Sequence, residues 1–299
     1  MTSGCAFVRS VEELENQNFG PSVTSAAPAW RGSRDERMKK PKVLIFDIET
    51  APMLVYAWGL FDQNVALNQI HTDWHILSWA AKWLGDPPSK IIYADQRNEK
   101  NVENDFKALK KIHKLLDEAD VVITQNGRRF DQKKLYARFL LNKLPPPSPF
   151  KHIDTLVIAK KHFAFTSNKL EYMSDKLCTK YKKLTEARKF GGFALWRECL
   201  KGNKVAWKEM EKYNKYDVLS LEELYEKLRP YDNAINFDLY IDDEDPSCNC
   251  GSKDLEKRGY SVTTTGKFQR YQCQNCGKWH RGKENLLSVE KRKKLLVSI

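Results

Sequence analysis

Val43-Leu44-Ile45-Phe46, continued through Ile48, is an apolar run without alternation and predicts a central strand buried on both faces. Strand-like pieces follow around Leu54, Tyr56 and Trp58, around Val65 and Leu67, around Ile76, Ser78 and Ala80, and at Ile91-Ile92-Tyr93, with polar turns between them. Phe106, Leu109, Ile112, Leu115 and Leu116 recur at helical spacing opposite Lys107, Lys110, Lys111 and Lys114, which predicts an amphipathic helix with a solvated lysine face. Val121-Val122-Ile123-Thr124 reads as another strand, and Phe130, Leu135, Ala137, Leu140 and Leu141 predict a helix that starts near Asp131. Beyond the stiff connector Pro145-Pro146-Pro147, Ile153 begins a short strand, and helices continue to about Leu228. The last of them carries the stripe Met210, Tyr213, Asp217, Leu221, Leu224 and Leu228. Trp58, Trp74, Trp79 and Trp83 are read as core residues in preference to platforms for unpaired bases.

Carboxylates interrupt this pattern at three places. Asp47 and Glu49 are two apart on the first strand and therefore share a face. Asp131 falls near a helix N-terminus at the C-terminal end of a strand, where sites in α/β proteins tend to form. Asp217 lies four residues after Tyr213 on the apolar side of a helix, a costly place for a charge unless a cation or partner meets it. Phosphodiester hydrolysis needs charge stabilised on both the attacking and the leaving oxygen, which two divalent ions about 4 Å apart can do. Magnesium and manganese prefer oxygen ligands, matching Asp47, Glu49, Asp131 and Asp217 rather than a histidine or cysteine set. A tyrosine one turn before the last ligand suits orientation of the attacking water.

The motifs Phe46-Asp47-Ile48-Glu49-Thr50, Asn126-Gly127-Arg128-Arg129-Phe130-Asp131 and Tyr213-Asn214-Lys215-Tyr216-Asp217 resemble those of the DEDD exonucleases, specifically the tyrosine-bearing DEDDy branch. The resemblance covers roughly residues 40 to 232 and is close to the proofreading exonuclease domain of family B DNA polymerases and to stand-alone phage-type relatives. Tyr213 at four before Asp217 selects this branch, since Lys212 occupies the position where the other branch has a histidine. It implies an α/β, ribonuclease H-like fold, a mixed central sheet flanked by helices. It implies that Asp47, Glu49, Asp131 and Asp217 hold two Mg2+ or Mn2+ ions, that Tyr213 positions the water, and that nucleoside monophosphates are released in the 3′-to-5′ direction. Thr50, Asn126, Phe130 and Arg128 are the candidate substrate contacts, and Asp154, in Ile153-Asp154-Thr155-Leu156, is read as supporting structure.

Near the C-terminus, Cys248-Asn249-Cys250-Gly251 and Cys273-Gln274-Asn275-Cys276-Gly277 flank the alternating segments Tyr260 to Thr263 and Phe268 to Tyr271. Two such pairs can close a tetrahedral zinc site that holds a module too small for its own core. The segment resembles a zinc ribbon, which implies one structural Zn2+ on Cys248, Cys250, Cys273 and Cys276. The first knuckle departs from the usual Cys-x-x-Cys, with Ser247 at the place of the missing cysteine. That leaves open strained ligation, weak ligation, or His280 in place of one cysteine. Cys5, Cys178 and Cys199 have no such partners.

The net charge of +12 and pI near 9.2 favour a polyanionic partner, DNA first and RNA as the alternative. Lys160, Lys161, Lys180, Lys182, Lys183 and Arg188 are candidates to track a phosphate backbone, and the C-terminal module interleaves basic and aromatic residues. No apolar run approaches a membrane span and no signal-peptide core is present, so a soluble, cytoplasmic protein is expected. The expected organisation is a flexible extension (1–39), a ribonuclease H-like exonuclease domain (40–232), an acidic linker (233–245), a zinc ribbon (246–283) and a basic tail (284–299). A replication or repair protein is an expected partner in trans, and a non-catalytic nucleic-acid-binding adaptor is the alternative of another class.

Overall fold

The computed structural model describes residues 41–181, 189–240 and 245–297. The N-terminal extension, the basic residues Lys182, Lys183 and Arg188, and the middle of the acidic linker lie outside the described residues.

The elements run β1 (Val43–Thr50), β2 (Leu54–Val55), β3 (Ile70–Thr72), β4 (Ile76–Trp83), β5 (Ile92–Asp95), α1 (Phe106–Glu118), β6 (Val121–Thr124), α2 (Asp131–Leu141) and β7 (Lys151–Asp154). They continue with α3 (Thr155–His162), α4 (Leu170–Leu177), α5 (Ala194–Leu200), α6 (Lys204–Leu228), β8 (Leu255–Val262), β9 (Lys267–Cys273), β10 (Trp279–Arg281) and α7 (Val289–Lys293). The central sheet has the order β5-β4-β1-β6-β7. β4 is antiparallel to β1 and to β5, whereas β1, β6 and β7 are mutually parallel. Helices cover both faces of this mixed sheet, giving the ribonuclease H-like α/β fold.

Because β1 is central and covered on both sides, its alternate residues enter two different cores. Val43 and Ile45 pack with Val218, Leu221 and Leu224 of α6, together with Ile158 and Met173. Leu44, Phe46 and Ile48 pack with Leu109 and Ile112 of α1 and with Leu135 and Phe139 of α2. The second layer is pinned by a buried ion pair: Arg138 of α2 donates through Nε and Nη2 to the two oxygens of Asp105, each at 2.7 Å, and Asp105 also accepts from the Ile76 backbone N–H.

The strand-like reading around Leu54 to Leu67 is corrected. Only Leu54–Val55 and Ile70–Thr72 pair, with each other, and the residues between them include a 3-10 turn at Leu67–Gln69. This two-stranded ribbon stays out of the central sheet, no second layer covers it among the described residues, and Trp58 is 97% exposed. Trp79, in contrast, is fully buried on β4 with its Nε1 donating to the Ala108 carbonyl at 3.0 Å.

The C-terminal module is an antiparallel sheet in the order β10-β9-β8, followed by the short α7. It belongs to the same contact unit as the central sheet. Phe237 N–H donates to the Asn249 carbonyl, Arg229 to the Cys250 carbonyl, and the Lys278 ammonium to the Asp232 carbonyl. No helix among the described residues is long and apolar enough to cross a membrane.

Candidate active site

The parallel pairing of β1 with β6 covers only Val43 to Ile45. β1 continues to Thr50, so its C-terminal half leaves one edge open at the ends of the parallel strands, the position where α/β sheets place their sites. Asp47 and Glu49 lie on this overhang. They share the face of Val43 and Ile45, which is the face that α6 covers. From α6 comes Asp217, almost fully buried, and one carboxylate oxygen from each of Asp47, Glu49 and Asp217 lies within 4.8 Å of the others.

Like charges at that separation repel by about 3 kcal/mol or more per pair at an effective dielectric of about 20. Polar neighbours offset part of this. Asn214, fully buried and three residues before Asp217, donates from Nδ2 to Asp47 Oδ2 at 2.8 Å and to the Asp47 carbonyl at 3.3 Å. Its own amide oxygen accepts from Ser78 Oγ at 3.3 Å. Trp196 of α5 donates from Nε1 to Glu49 Oε2 at 3.2 Å. The same indole meets the Tyr213 ring edge-on, with centroids 6.0 Å apart, so one side chain braces both Glu49 and the phenol. A donor set of three converging carboxylates fits a hard divalent cation.

Asp131 is placed differently. It is the first residue of α2, on the opposite layer, and it reaches the site over the edge that β6 vacates. There its Oδ1 accepts from the Ile48 N–H at 3.2 Å, taking a β1 donor that no β6 residue meets. Asp131 thus adjoins the strand between Asp47 and Glu49 but does not join the three-oxygen cluster. Burial, reinforced by Asp154, pushes its carboxyl up to about 7.

The loop that delivers Asp131 is conformationally demanding. Asn126 has a φ of 64°, and a Cβ at Gly127 would lie 2.2 Å from Thr124 Oγ1. Asp154 holds this loop by accepting from the Asn126 N–H at 2.8 Å and the Arg128 N–H at 3.3 Å, while also capping α3 through the Leu156 N–H at 3.0 Å. The Arg128 guanidinium donates to the His152 carbonyl. Phe130 is partly exposed at the start of α2, and Thr50 ends β1 opposite Ile76. Asp47, Asp217 and Asn126 line an open cleft of about 510 Å³ whose rim also carries Lys160 and Lys169.

The second cluster is sulfur. The Sγ atoms of Cys248, Cys250, Cys273 and Cys276 lie within 4.8 Å of one another, with Cys248 to Cys276 at 3.5 Å and Cys250 to Cys273 at 3.8 Å. These separations exceed a disulfide bond of about 2.05 Å. They match the edge of about 3.8 Å that a tetrahedron with metal–sulfur bonds of about 2.3 Å requires. The one-residue knuckle therefore reaches the cluster. Gly251 and Gly277, with φ near 80°, let each chain turn back so that its N–H meets the Cys248 or Cys273 carbonyl. His280 Nε2 lies 3.1 Å from Cys248 Sγ, beside the four sulfurs. The Cys248–Cys250 hydrogen bond holds the Cys250 thiol well below its ordinary range and pushes Cys248 up.

Asn214 and Trp196 are the site residues that sequence reasoning missed. Asn214 lies inside the third motif, next to Tyr213 and three residues before Asp217, which was a usable signal, whereas nothing in the sequence marked Trp196.

A family model described as the RNase_H superfamily matches residues 84–229, a span that holds Asp131, Tyr213 and Asp217 and begins after Asp47 and Glu49. Among solved structures, the family B DNA polymerase from the hyperthermophilic archaeon Pyrobaculum calidifontis is similar at 15% identity with a TM-score of 0.44. The similarity covers 67% of this chain and 27% of the polymerase. No curated protein matches the chain.

Proposed function

We propose that the chain is a metal-dependent 3′-to-5′ exonuclease that hydrolyses DNA to nucleoside monophosphates, with RNA as the alternative polymer. The observation that carries this reading is the convergence of Asp47, Glu49 and Asp217 on the open overhang of β1, with Asp131 at its edge. The polarity and the products rest on the resemblance of the three motifs to the DEDDy branch.

Asp47, Glu49, Asp217 and Asp131 would hold two Mg2+ or Mn2+ ions, which supply charge stabilisation for the attacking and leaving oxygens and a more acidic water. Asn214 fixes the rotamer of Asp47, and Trp196 fixes Glu49, so the carboxylates keep their convergence without substrate. The Tyr213 phenol, held against Trp196 and one turn from Asp217, orients the attacking water. Lys160 and Lys169 at the cleft rim attract the phosphates of the strand. The four cysteines would hold a structural Zn2+ in a ribbon that packs beside the start of β1.

The test compares wild type with Asp131→Ala and Asp217→Ala on 5′-labelled single-stranded DNA and matching RNA, with magnesium, manganese or chelator. A ladder shortening from the 3′ end, lost in both variants and in chelator, supports the exonuclease, and the faster polymer identifies the sugar. Intact oligonucleotide under every metal, with binding retained, favours the adaptor.

A further inference from the structure

The two faces of the C-terminal sheet differ in chemistry. Its register sets Trp279 opposite Gln272 and Arg281 opposite Arg270, and sets Glu256 opposite Gln272 and Ser261 opposite Phe268. Side chains alternate along a strand, so Trp279, Arg281, Arg270, Phe268 and Arg258 share one face, while Cys273 and His280 occupy the other, toward the sulfur cluster. The contacts agree with this assignment. The Arg270 and Arg258 guanidinium groups lie 4.9 and 5.9 Å from the centre of the Trp279 ring, and that of Arg281 lies 4.4 Å from Phe268. Trp279 is 47% exposed and the three arginines are exposed. Glu256, 3.8 Å from Arg258, is the acidic residue that the register places on this face, and among the described residues Arg270 and Arg281 have no carboxylate within ion-pair distance.

We infer that this face binds single-stranded nucleic acid at a site separate from the carboxylate cleft, an inference that rests on the nuclease reading. Rings interleaved with guanidinium groups supply flat surfaces for unpaired bases and forked donors for phosphates at the spacing of one strand pair. The excess of three arginines over one glutamate complements a polyanion. The module that carries this face is anchored near the end of β1 away from the catalytic cluster. The Cys250 knuckle packs beside Val43 at the start of β1, and Glu49 lies six residues further, about 20 Å along an extended strand. A strand whose 3′ end enters the cleft therefore reaches this face only with nucleotides well upstream, so the face serves long substrates and leaves short ones unaffected.

The test uses the full chain with three changes made separately: Arg270→Glu with Arg281→Glu, Trp279→Ala, and Trp279→Phe. Binding of fluorescein-labelled oligo(dT) of ~30 and ~4 nucleotides is followed by anisotropy against salt in an Asp217→Asn background, and hydrolysis of both in the otherwise unaltered chain. The expected result is about tenfold weaker binding of the long oligonucleotide for the double-glutamate and Trp279→Ala variants, with a salt slope reduced by about 1.4 in the former. Trp279→Phe retains binding, and hydrolysis of the short oligonucleotide stays at the wild-type rate in every ribbon variant. Unchanged binding and hydrolysis of the long substrate would overturn the inference and leave the nuclease reading intact. A chain that degrades nothing, yet loses long-oligonucleotide binding in these variants, would overturn the nuclease reading alone. Equal competition by poly-glutamate with no effect of Trp279→Ala would assign the face to acidic protein segments and overturn the inference. A lowered melting temperature accompanied by equal loss on short and long substrates would also count against it, since that marks general damage.

Discussion

Asn214→Ala removes the donor that sets Asp47 and leaves every proposed metal ligand in place. Asn214 is fully buried and gives Asp47 Oδ2 a bond of 2.8 Å from a neutral amide to a carboxylate. Hydrogen bonds to charged groups contribute about 1.5 to 3 kcal/mol, so the Asp47 rotamer should lose most of its preference. Residues that orient metal ligands typically change metal affinity or activity by about 10- to 100-fold when removed. The expected outcome is therefore a half-saturating magnesium concentration raised by about 10- to 100-fold, with much of the maximal rate recovered at saturating metal. Ser78→Ala supplies the graded control. It deletes the 3.3 Å bond from Ser78 to the Asn214 oxygen, leaves the donor to Asp47 intact, and should cost about 1 to 3 kcal/mol of stability, because a buried acceptor loses its partner, with little change in metal dependence. The assay is initial rate on labelled single-stranded DNA against magnesium concentration, with thermal unfolding of each variant. Unchanged magnesium dependence in Asn214→Ala, or an equal defect in Ser78→Ala, would refute the positioning role.

Trp196→Phe keeps the ring against Tyr213 but removes the donor to Glu49, so metal dependence should shift as in Asn214→Ala while the melting temperature stays near wild type, measured by metal titration and thermal unfolding. Arg138→Ala strands the fully buried Asp105 carboxylate and should destabilise the fold by about 3 to 5 kcal/mol in urea unfolding. Gly127→Ala forces a Cβ onto the Thr124 hydroxyl and should displace Asp131, abolishing activity by more than the loss of thermal stability explains. In the metal-free chain the Asp131 carboxyl is raised from 3.8 to about 7, so the folded state binds that proton more tightly than the unfolded chain. This group's contribution to stability therefore falls as pH rises from about 4 to about 7, and manganese should raise the melting temperature more at pH 8 than at pH 5.

Asp47 with Glu49, and Tyr213 with Asp217, were legible because strand and helix periods fix which face each residue occupies. The supporting donors were not, because their partners come from distant elements: Trp196 lies 147 residues from Glu49, and Asn214 lies 167 from Asp47. The separate position of Asp131 follows from α2 packing on the opposite layer, a choice that local pattern does not encode. Trp58 misled for a related reason: alternation signals a strand but not whether a second layer exists to cover it. In the C-terminal module the cysteine spacing was visible, while the approach of His280 to Cys248 depends on the β9–β10 register.

Counting manganese ions per chain by electron paramagnetic resonance titration, in wild type and Asp217→Asn, tests most directly whether the carboxylate cluster is a metal centre. The account predicts two ions per wild-type chain, with at least one lost in the variant while thiol reactivity at the cysteine cluster is unchanged. Equal manganese stoichiometry in both proteins, or none in either, would contradict it.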